Sequence, residues 1–226
     1  MKAAVMVLPG SNCDLDAYHV LKDLLQMETK LLWHRETDLS KFDLIVVPGG
    51  FAYGDYLRAG AIARFAPAVQ ALPNYVEAKR GFVLGICNGF QILTEAGLLP
   101  GALARNIERK FICKSVTLRI ENADTPFTHL FKSGETLELP IAHAEGRYFD
   151  MPAEIEKLQK NRQIFLTYAG ENPNGSVNHI AGVMNKAKTV FGLMPHPERN
   201  SETLLGSGAG LKFFQSLAQS LGVVHG

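Results

Sequence analysis

The sequence predicts an α/β fold: a single domain with a mostly parallel central sheet, helices on both faces and a small antiparallel extension. Three observations support this prediction. In the first half of the chain, short apolar runs alternate with segments of helix length, an order typical of parallel sheets. In the second half, two runs alternate apolar and polar residues, as antiparallel strands do. Segments rich in glycine and polar residues follow several of the predicted strands.

The first half supplies the predicted parallel strands. In chain order, the apolar runs are 3–8, 29–33, 44–47 and 82–86. Between the first two runs, Tyr18, Leu21, Leu24 and Leu25 recur at helical spacing. A second helix-length segment, 59–79, precedes the fourth run. This order predicts parallel strands with helices packed on both faces of the sheet.

The second half has a different character. Runs 114–120 and 135–141 alternate and predict antiparallel strands, and an amphipathic helix is expected over 152–160. Three more strands are expected over 163–168, 180–185 and 189–194. The segment 211–221 predicts a closing helix with Leu211, Phe214 and Leu217 on one face.

Composition limits the class of protein. The chain has 226 residues, enough for one sizeable domain, and we expect a single unit over residues 1–226. Lys and Arg number 23 against 22 Asp and Glu, so no strong net field favours nucleic acid or an anionic membrane as a partner. No apolar run approaches the ~20 residues of a membrane span, and the N-terminus lacks the pattern of a secretory signal. The three cysteines have no close spacing, which predicts a cytoplasmic protein with no disulfides and no metal site.

Residues 85–90, directly after the strand 82–86, are the most informative segment. A strand that delivers Cys87 into a turn flanked by Gly85 and Gly89, with a helix-capable stretch behind it, is the cysteine form of a nucleophile elbow. The glycines allow the strand and the helix to approach closely because neither carries a side chain. The free N–H groups at the helix N-terminus favour the thiolate, which is the nucleophilic form. The alternative is a small buried hydrophobe, which we expect for Cys113, whereas Cys13 is expected to be a loop thiol without catalytic duty.

A thiol nucleophile needs a base, and His196 is the strongest candidate. Glu198 follows two residues later, and in an extended segment positions i and i+2 face the same way. Pro195 and Pro197 favour an extended backbone there. The sequence therefore predicts a catalytic triad in which Glu198 orients the His196 imidazole beside Cys87.

Attack on a carbonyl also requires N–H donors for the oxyanion. The backbone N–H of Asn88 is placed by the elbow itself, and the turn 48–51 offers a second donor from Gly50. A Pro-Gly-Gly sequence is just as often a simple tight turn. The turns at 9–11, 48–50, 85–89 and 194–198 all follow predicted strands, so we expect them to meet in one crevice at the carboxyl ends of the sheet.

These motifs resemble those of the class I glutamine amidotransferases. Their G-x-C-x-G-x-Q elbow is matched by Gly85, Cys87, Gly89 and Gln91, and their His-Pro-Glu by residues 196–198. Within that family, the chain is similar to the separate-chain glutaminase subunit of phosphoribosylformylglycinamidine synthase, an enzyme of purine biosynthesis. The matching tracts are 9–14, 53–61, 143–147, 172–176 and 194–199, and two positions depart from the expected pattern, Ala52 for Ser and Ala144 for Gly.

The resemblance implies a flavodoxin-like fold and a defined chemistry. Cys87 attacks the carboxamide of glutamine, His196 protonates the departing ammonia, and water then resolves the γ-glutamyl thioester. It also implies that Gln91, Gly49 and Phe51 help to hold or enclose the glutamine. The residues expected at the entrance, at the partner surface or in structural ion pairs are Arg58, His143, Glu145 and Arg147.

The chain lacks the glycine motifs of nucleotide sites. The resemblance therefore implies no cofactor in this chain, and ATP and Mg on a large synthetase subunit that receives the ammonia, with a small accessory subunit in the same complex. Three alternatives stay open: a glutaminase of another pathway, a stand-alone cysteine peptidase or γ-glutamyl hydrolase, and a non-catalytic interaction subunit that has kept the fold.

Overall fold

Eleven strands and six α-helices organise residues 1–222, the part of the chain that the computed structural model describes. The strands are β1 (Lys2–Val7), β2 (Glu28–Trp33), β3 (Leu44–Val47), β4 (Phe82–Ile86), β5 (Ala102–Ala104), β6 (Ile112–Ile120), β7 (Thr136–His143), β8 (Arg147–Phe149), β9 (Ile164–Tyr168), β10 (Ile180–Met184) and β11 (Val190–Leu193). The helices are α1 (Asp14–His19), α2 (Pro67–Gln70), α3 (Leu72–Glu77), α4 (Asn88–Glu95), α5 (Pro152–Lys160) and α6 (Leu211–Ser220). Within this range, no helix combines the length and the apolar character needed to cross a membrane.

Nine of the strands form one sheet, in the order β2-β1-β3-β4-β11-β10-β9-β6-β7. The α/β fold predicted from the sequence is confirmed. The strand pairs β1 with β2, β1 with β3, β3 with β4 and β4 with β11 are parallel. The other four pairs, which join β11, β10, β9, β6 and β7, are antiparallel. The expected antiparallel extension thus continues the central sheet and makes as many strand pairs as the parallel part.

Strands β3, β4 and β11 lie side by side with their carboxyl ends level. The register pairs Val47 of β3 with Gly85 of β4, and Ile86 of β4 with Leu193 of β11. The segments that follow these three strands carry the predicted glycine turn, the nucleophile and the His-x-Glu pair. These segments therefore start from the same edge of the sheet, where open parallel sheets place their ligand sites.

Two parts of the chain differ from the sequence prediction. The segment 59–79 is divided into a 3₁₀ turn (Ala63–Phe65) and the short helices α2 and α3, because Pro67 and Pro73 near their starts lack the N–H that a continuous helix would need. The second difference is a two-stranded sheet of β5 and β8, which was not predicted. Each of its strands has only three residues, too few to show a hydrophobic period.

A cluster of buried phenylalanines fixes the closing helix against the sheet. The Phe127 ring lies with its centroid 5.5 Å from those of Phe165 in β9 and Phe191 in β11, and 4.9 Å from that of Phe213 in α6. All four side chains are fully buried, and burial of each contributes roughly 1.5–3 kcal/mol. This packing holds β11, whose end leads into the His196 segment, in a fixed place.

Candidate active site

The sharp turn between β4 and α4 places Cys87 at the edge of the sheet. Cys87 has a left-handed φ of 49° with ψ of −104°, an unusual conformation for a side-chain-bearing residue. Its N–H donates to the Leu193 carbonyl at 2.8 Å, and its carbonyl accepts from the Gln91 N–H at 3.1 Å. These two bonds hold the strained residue between β11 and the first turn of α4. The sulfur is nearly buried and lies 3.7 Å from the Ala142 carbonyl oxygen at the end of β7.

The two elbow glycines are required by backbone contact. A Cβ at Gly89 would lie 1.8 Å from the Val47 carbonyl oxygen, and one at Gly85 would lie 2.7 Å from the Gly89 carbonyl carbon. Helix α4 therefore packs directly on the backbone of β3 and β4. The sequence prediction that neither glycine tolerates a side chain agrees with this geometry.

His196 and Glu198 form a buried pair. The His196 Nδ1 and the Glu198 Oε1 are 2.6 Å apart, and the two residues are only 2% and 3% exposed. The pair does not arise from the extended segment that the sequence suggested. The residues from Pro197 to Asn200 form a 3₁₀ turn, and this turn brings the carboxylate back to the imidazole.

Because Nδ1 is taken by Glu198, the Nε2 atom is the ring nitrogen available for chemistry. Nε2 is buried and has no hydrogen-bond partner among the described residues. Burial opposes protonation of His196, but the charges of Glu198 and then of Cys87 outweigh it, and the pKa of the imidazole is raised well above its usual range. The protonated imidazole is thus the favoured form at neutral pH.

The turn after β3 lies against the histidine. A Cβ at Gly49 would be 2.8 Å from the His196 Cε1 atom, so only glycine allows the ring to take this position. Gly50 has a φ of 147°, and a Cβ there would lie 2.6 Å from the Ser11 Cα. Hydrogen bonds of 2.9 Å from the Phe51 N–H to the Gly10 carbonyl and of 3.3 Å from the Asn12 N–H to the Gly49 carbonyl fix the turn. In the described residues the Gly50 N–H has no acceptor, so it is free for a ligand.

Asn88, the first residue of α4, ties this turn to the elbow. Its Oδ1 accepts from the Ala52 N–H at 3.0 Å, and its Nδ2 donates to the Asp55 Oδ1 at 3.1 Å and to the Gln91 Oε1 at 2.9 Å. The Gln91 Nε2 in turn donates to the Glu145 carbonyl at 2.6 Å. The Asn88 backbone N–H has no partner within the helix, as expected at a first position.

The three residues predicted to hold substrate have different surroundings. Gly49 faces the His196 ring. Gln91 is buried, and its amide is engaged with Asn88 and Glu145. Phe51 is 46% exposed, with its ring centroid 6.4 Å from that of Phe111.

The prediction that Cys113 is buried is wrong, whereas Cys13 lies in a loop as predicted but is buried within the site. Cys113 is exposed rather than buried, because β9 pairs with β6 only over residues 118–120 and leaves the start of β6 uncovered. Cys13 is 1% exposed and lies within the site, where its sulfur, a His196 ring nitrogen and a Glu198 carboxylate oxygen all fall within 4.8 Å of one another. No local pattern in the sequence signals this, since residues 13 and 196 meet only through the fold.

The cluster of Cys13, His196 and Glu198 has donor types that suit zinc. Its atoms are, however, already engaged: His196 Nδ1 is bonded to Glu198, and the Arg199 Nη2 donates to the Cys13 sulfur at 2.9 Å. The Arg199 guanidinium also disfavours a second cation. The residues present therefore fit a hydrogen-bonded cluster better than a metal site.

His143 is a second buried histidine at the site. Its Nδ1 is 3.1 Å from the Asn106 Oδ1, while the Asn106 Nδ2 donates to the carbonyls of Lys110 and His143 at 2.9 Å each. Because the Asn106 amide is oriented by those carbonyls, the Nδ1 of His143 carries the hydrogen and Nε2 is an acceptor. Burial, and then the charge of His196, lower the pKa of His143 to about 4. His143 is therefore neutral and does not lie exposed at the entrance.

Arg58, Glu145 and Arg147, which the sequence also placed at the entrance, lie outside the triad. Arg58 makes a two-bond ion pair with Glu95, and Glu145 accepts from the Ala59 N–H at 3.0 Å. Arg147 is half-buried in β8. Arg58 is thus engaged in a structural ion pair with Glu95. Glu145 anchors the segment that follows the glycine turn, through its bond with Ala59.

Comparison with known proteins identifies the family of the chain. Residues 1–210 match the model of the CobB/CobQ-like glutamine amidotransferase domain. The chain is 51% identical to the phosphoribosylformylglycinamidine synthase subunit PurQ of Trichormus variabilis, over 98% of both chains. It is 55% identical to the PurQ subunit of Synechococcus elongatus, over 97% of this chain and 98% of the relative. The chain belongs to the PurQ family of glutamine amidotransferases.

A solved structure supports the same assignment. PurLQS from Thermotoga maritima contains a chain that superposes with a TM-score of 0.89 and 46% identity, over 97% of this chain and 98% of that one. The family resemblance predicted from the elbow and the His-Pro-Glu motif is therefore confirmed, and its coverage extends over the whole length of the PurQ relatives.

The Asp55 carboxyl group, bonded to Asn88 in the loop after β3, has a displaced pKa. Partial burial, and then the charge of Glu145, raise the pKa of Asp55 to about 6, while the hydrogen bond from Asn88 opposes the shift. The folded state therefore disfavours the ionised carboxylate. The resulting penalty is absent below the ordinary value of 3.8, develops as the pH rises, and is complete above about 6.

We expect Asp55→Asn to be more stable than the wild type above pH 6, by about 1 kcal/mol after allowance for solvent screening. The difference should vanish in acid, since both side chains are then neutral and the amide oxygen of the variant still accepts from Asn88. Denaturant unfolding across pH measures it. Asp124→Asn is the control. Because the hydrogen bond from Lys188 lowers the pKa of Asp124, this variant should be less stable than the wild type at neutral pH. A pH-independent difference for Asp55→Asn would contradict the assignment.

Proposed function

We propose that this chain is the glutaminase subunit of phosphoribosylformylglycinamidine synthase. It hydrolyses glutamine to glutamate and ammonia and passes the ammonia to an ATP-dependent synthetase subunit in purine biosynthesis. The observation that carries the proposal is the meeting of Cys87, on its left-handed elbow, with the buried His196–Glu198 pair. It is supported by 51% and 55% identity to PurQ subunits over nearly the full chain.

The chemistry follows from the proton positions. The Cys87 sulfur attacks the side-chain carboxamide carbon of glutamine and forms a carbon–sulfur bond, while the carbonyl electrons move onto oxygen. The tetrahedral intermediate collapses as the carbon–nitrogen bond breaks, and the His196 Nε2 gives its proton to the leaving ammonia. Water, deprotonated by the same Nε2, then attacks the thioester and releases glutamate and the free thiol. Glu198 holds Nδ1, which leaves Nε2 as the working nitrogen of the proposed triad.

The oxyanion is stabilised by two backbone donors, the N–H groups of Gly50 and Asn88. Both N–H groups lack partners among the described residues, and the Asn88 side chain fixes the turn that contains Gly50 through Ala52. Loss of one such donor costs about 3–4 kcal/mol of transition-state stabilisation.

Of the residues assigned to substrate binding, Gly49 allows the His196 ring to pack against the turn after β3, and the half-exposed Phe51 covers the entrance. Gln91 acts through its bonds to Asn88 and Glu145, which shape the wall of the pocket. The identity of 51% and 55% to PurQ subunits favours glutamine as the substrate over a peptide.

The partner is a synthetase subunit that carries ATP and Mg, with a small accessory subunit in the same complex. PurLQS of Thermotoga maritima is the related assembly. We also propose that residues 1–226 form one domain and that the protein is cytoplasmic, where its thiols stay reduced. The intact triad argues against a non-catalytic subunit.

The Cys87→Ala variant should lose glutamine-dependent synthesis and retain ammonia-dependent synthesis in the complex with the synthetase, since only the nucleophile is lost. Both rates are measured as product formation with glutamine or ammonium as the nitrogen source. Cys113→Ala, which removes an exposed thiol, is the control and should keep both activities. Wild-type glutamine hydrolysis by Cys87→Ala would show that Cys87 is not the nucleophile.

His196→Ala should reduce kcat by ~100- to 10,000-fold, the usual contribution of a general acid-base group. Glu198→Gln should be milder, because the amide still contacts Nδ1 but no longer stabilises the imidazolium. Steady-state glutamine hydrolysis at saturating substrate compares the two variants. Undiminished turnover by His196→Ala would point to another histidine, with His143 the first to consider.

The isolated chain should hydrolyse glutamine slowly, and kcat should rise when the synthetase, the accessory subunit and nucleotide are added. The physical reason is that docking orders the loop 49–55 and aligns the Gly50 donor, which stabilises the transition state more than the bound glutamine. Hydrolysis is measured for the chain alone and after each addition. Full activity alone, unchanged by the partners, would favour a stand-alone hydrolase.

A further inference from the structure

Cys13 is a buried thiol at the centre of the site that no step of the proposed reaction uses. It lies immediately before α1, and its N–H donates to the Gly49 carbonyl at 3.2 Å, so it is attached to the same turn that packs on His196. A Cβ on Gly49 would be 3.1 Å from the Cys13 sulfur and 2.8 Å from the His196 Cε1 atom. The sulfur and the imidazole therefore border the same space above Gly49.

The Cys13 sulfur also contacts a cation. The Arg199 Nη2 donates to it at 2.9 Å, and the Arg199 Nε is 3.6 Å from the Asp16 Oδ2. The same sulfur lies within 4.8 Å of a His196 ring nitrogen and of a Glu198 oxygen. Arg199 and His196 therefore approach the same sulfur. A guanidinium near an imidazole opposes protonation of the imidazole, unless an acceptor occupies the N–H groups of the guanidinium.

We propose that Cys13 is a positioning residue for the glutaminase reaction. Its sulfur accepts from the Arg199 guanidinium, which keeps the His196 imidazole in place against Gly49 and favours the protonated form of the ring. This inference rests on the proposed function, since it assigns a role to His196. The raised pKa of His196 is consistent with it: after burial, Glu198 and Cys87, the contact with Cys13 is among the causes.

The groups that face His196 come from several elements. They are Cys13 just before α1, Cys87 at the elbow, His143 at the end of β7, and Glu198 in its own turn. Arg199 contacts the Cys13 sulfur, and Asp16 contacts Arg199. His143 is neutral with its pKa lowered to about 4, so it does not titrate in the same range. Cys13 and Arg199 can therefore be tested against a constant background of the other groups.

The test compares Cys13→Ala with Arg199→Gln in the complex with the synthetase, by the pH dependence of kcat and KM for glutamine. Cys13→Ala removes the acceptor and leaves the guanidinium charge in place. The alkaline limb of the pH profile of kcat should therefore shift to lower pH by about one unit. On that limb kcat falls about tenfold, and KM changes by less than about twofold. Arg199→Gln keeps a donor for the sulfur and removes the charge, so its alkaline limb should move up.

Cys13→Ser tests rescue, because its hydroxyl still accepts from Arg199, and its alkaline limb should lie between those of Cys13→Ala and the wild type. Cys113→Ala, which removes an exposed thiol, should superpose on the wild type. Opposite shifts for Cys13→Ala and Arg199→Gln support the proposal, since a packing role alone would not give shifts of opposite sign. Alkaline limbs of both variants that coincide with the wild type overturn it, even where kcat is lower.

An NMR titration of the His196 Cε1–H signal, assigned by its loss in His196→Asn, keeps the two proposals separate. It reports the imidazole pKa without any turnover, and it also applies if Cys13→Ala is unstable, because Cys13→Ser and Arg199→Gln are read in the same way. An inactive wild-type complex with the expected pKa shifts would refute the glutaminase function and retain the Cys13–His196 coupling. An active complex without shifts would refute the coupling alone.

Discussion

The site depends on the close approach of α4 to the carboxyl ends of β3 and β4. The Val47 carbonyl oxygen occupies the space where a Gly89 side chain would begin, 1.8 Å from that hypothetical Cβ. At this separation the chain passes from strand to helix through Cys87, which has a positive φ of 49°. The conformation costs about 1–2 kcal/mol, which the bonds from Cys87 to Leu193 and Gln91 help to offset. The strain thus projects the thiol from the sheet edge toward His196.

The same helix start controls the second half of the site. The Asn88 side chain bonds to the loop after β3 at Ala52 and Asp55 and to Gln91 within α4. Each such bond contributes about 1 kcal/mol net, and leaving a buried partner unsatisfied costs more. The position of the Gly50 N–H is therefore coupled, through Asn88, to the position of the Cys87 elbow.

The sequence is most informative where local rules decide the structure. The strands β3 and β4 could be predicted because a buried parallel strand needs continuous apolar residues. The elbow could be predicted because only glycine, which has no side chain, allows the strand and the helix to approach so closely. Contacts across the fold were not predictable. Cys13 meets His196 only after β1 and β11 take their places in the sheet, and the exposure of Cys113 depends on how far β9 extends along β6.

The two histidines of the site show how hydrogen-bond partners divide the roles. His196 faces the Glu198 carboxylate, which favours a positive ring, whereas His143 faces the Asn106 amide oxygen, which accepts a hydrogen without supplying a full charge. Two imidazolium groups in one buried site would repel each other strongly. Burial, and then the charge of His196, lower the pKa of His143 and keep it neutral, while the Asn106 amide, oriented by the carbonyls of Lys110 and His143, sets its tautomer. Of these two histidines, His196 is thereby left as the one that carries a proton, as the proposed reaction requires.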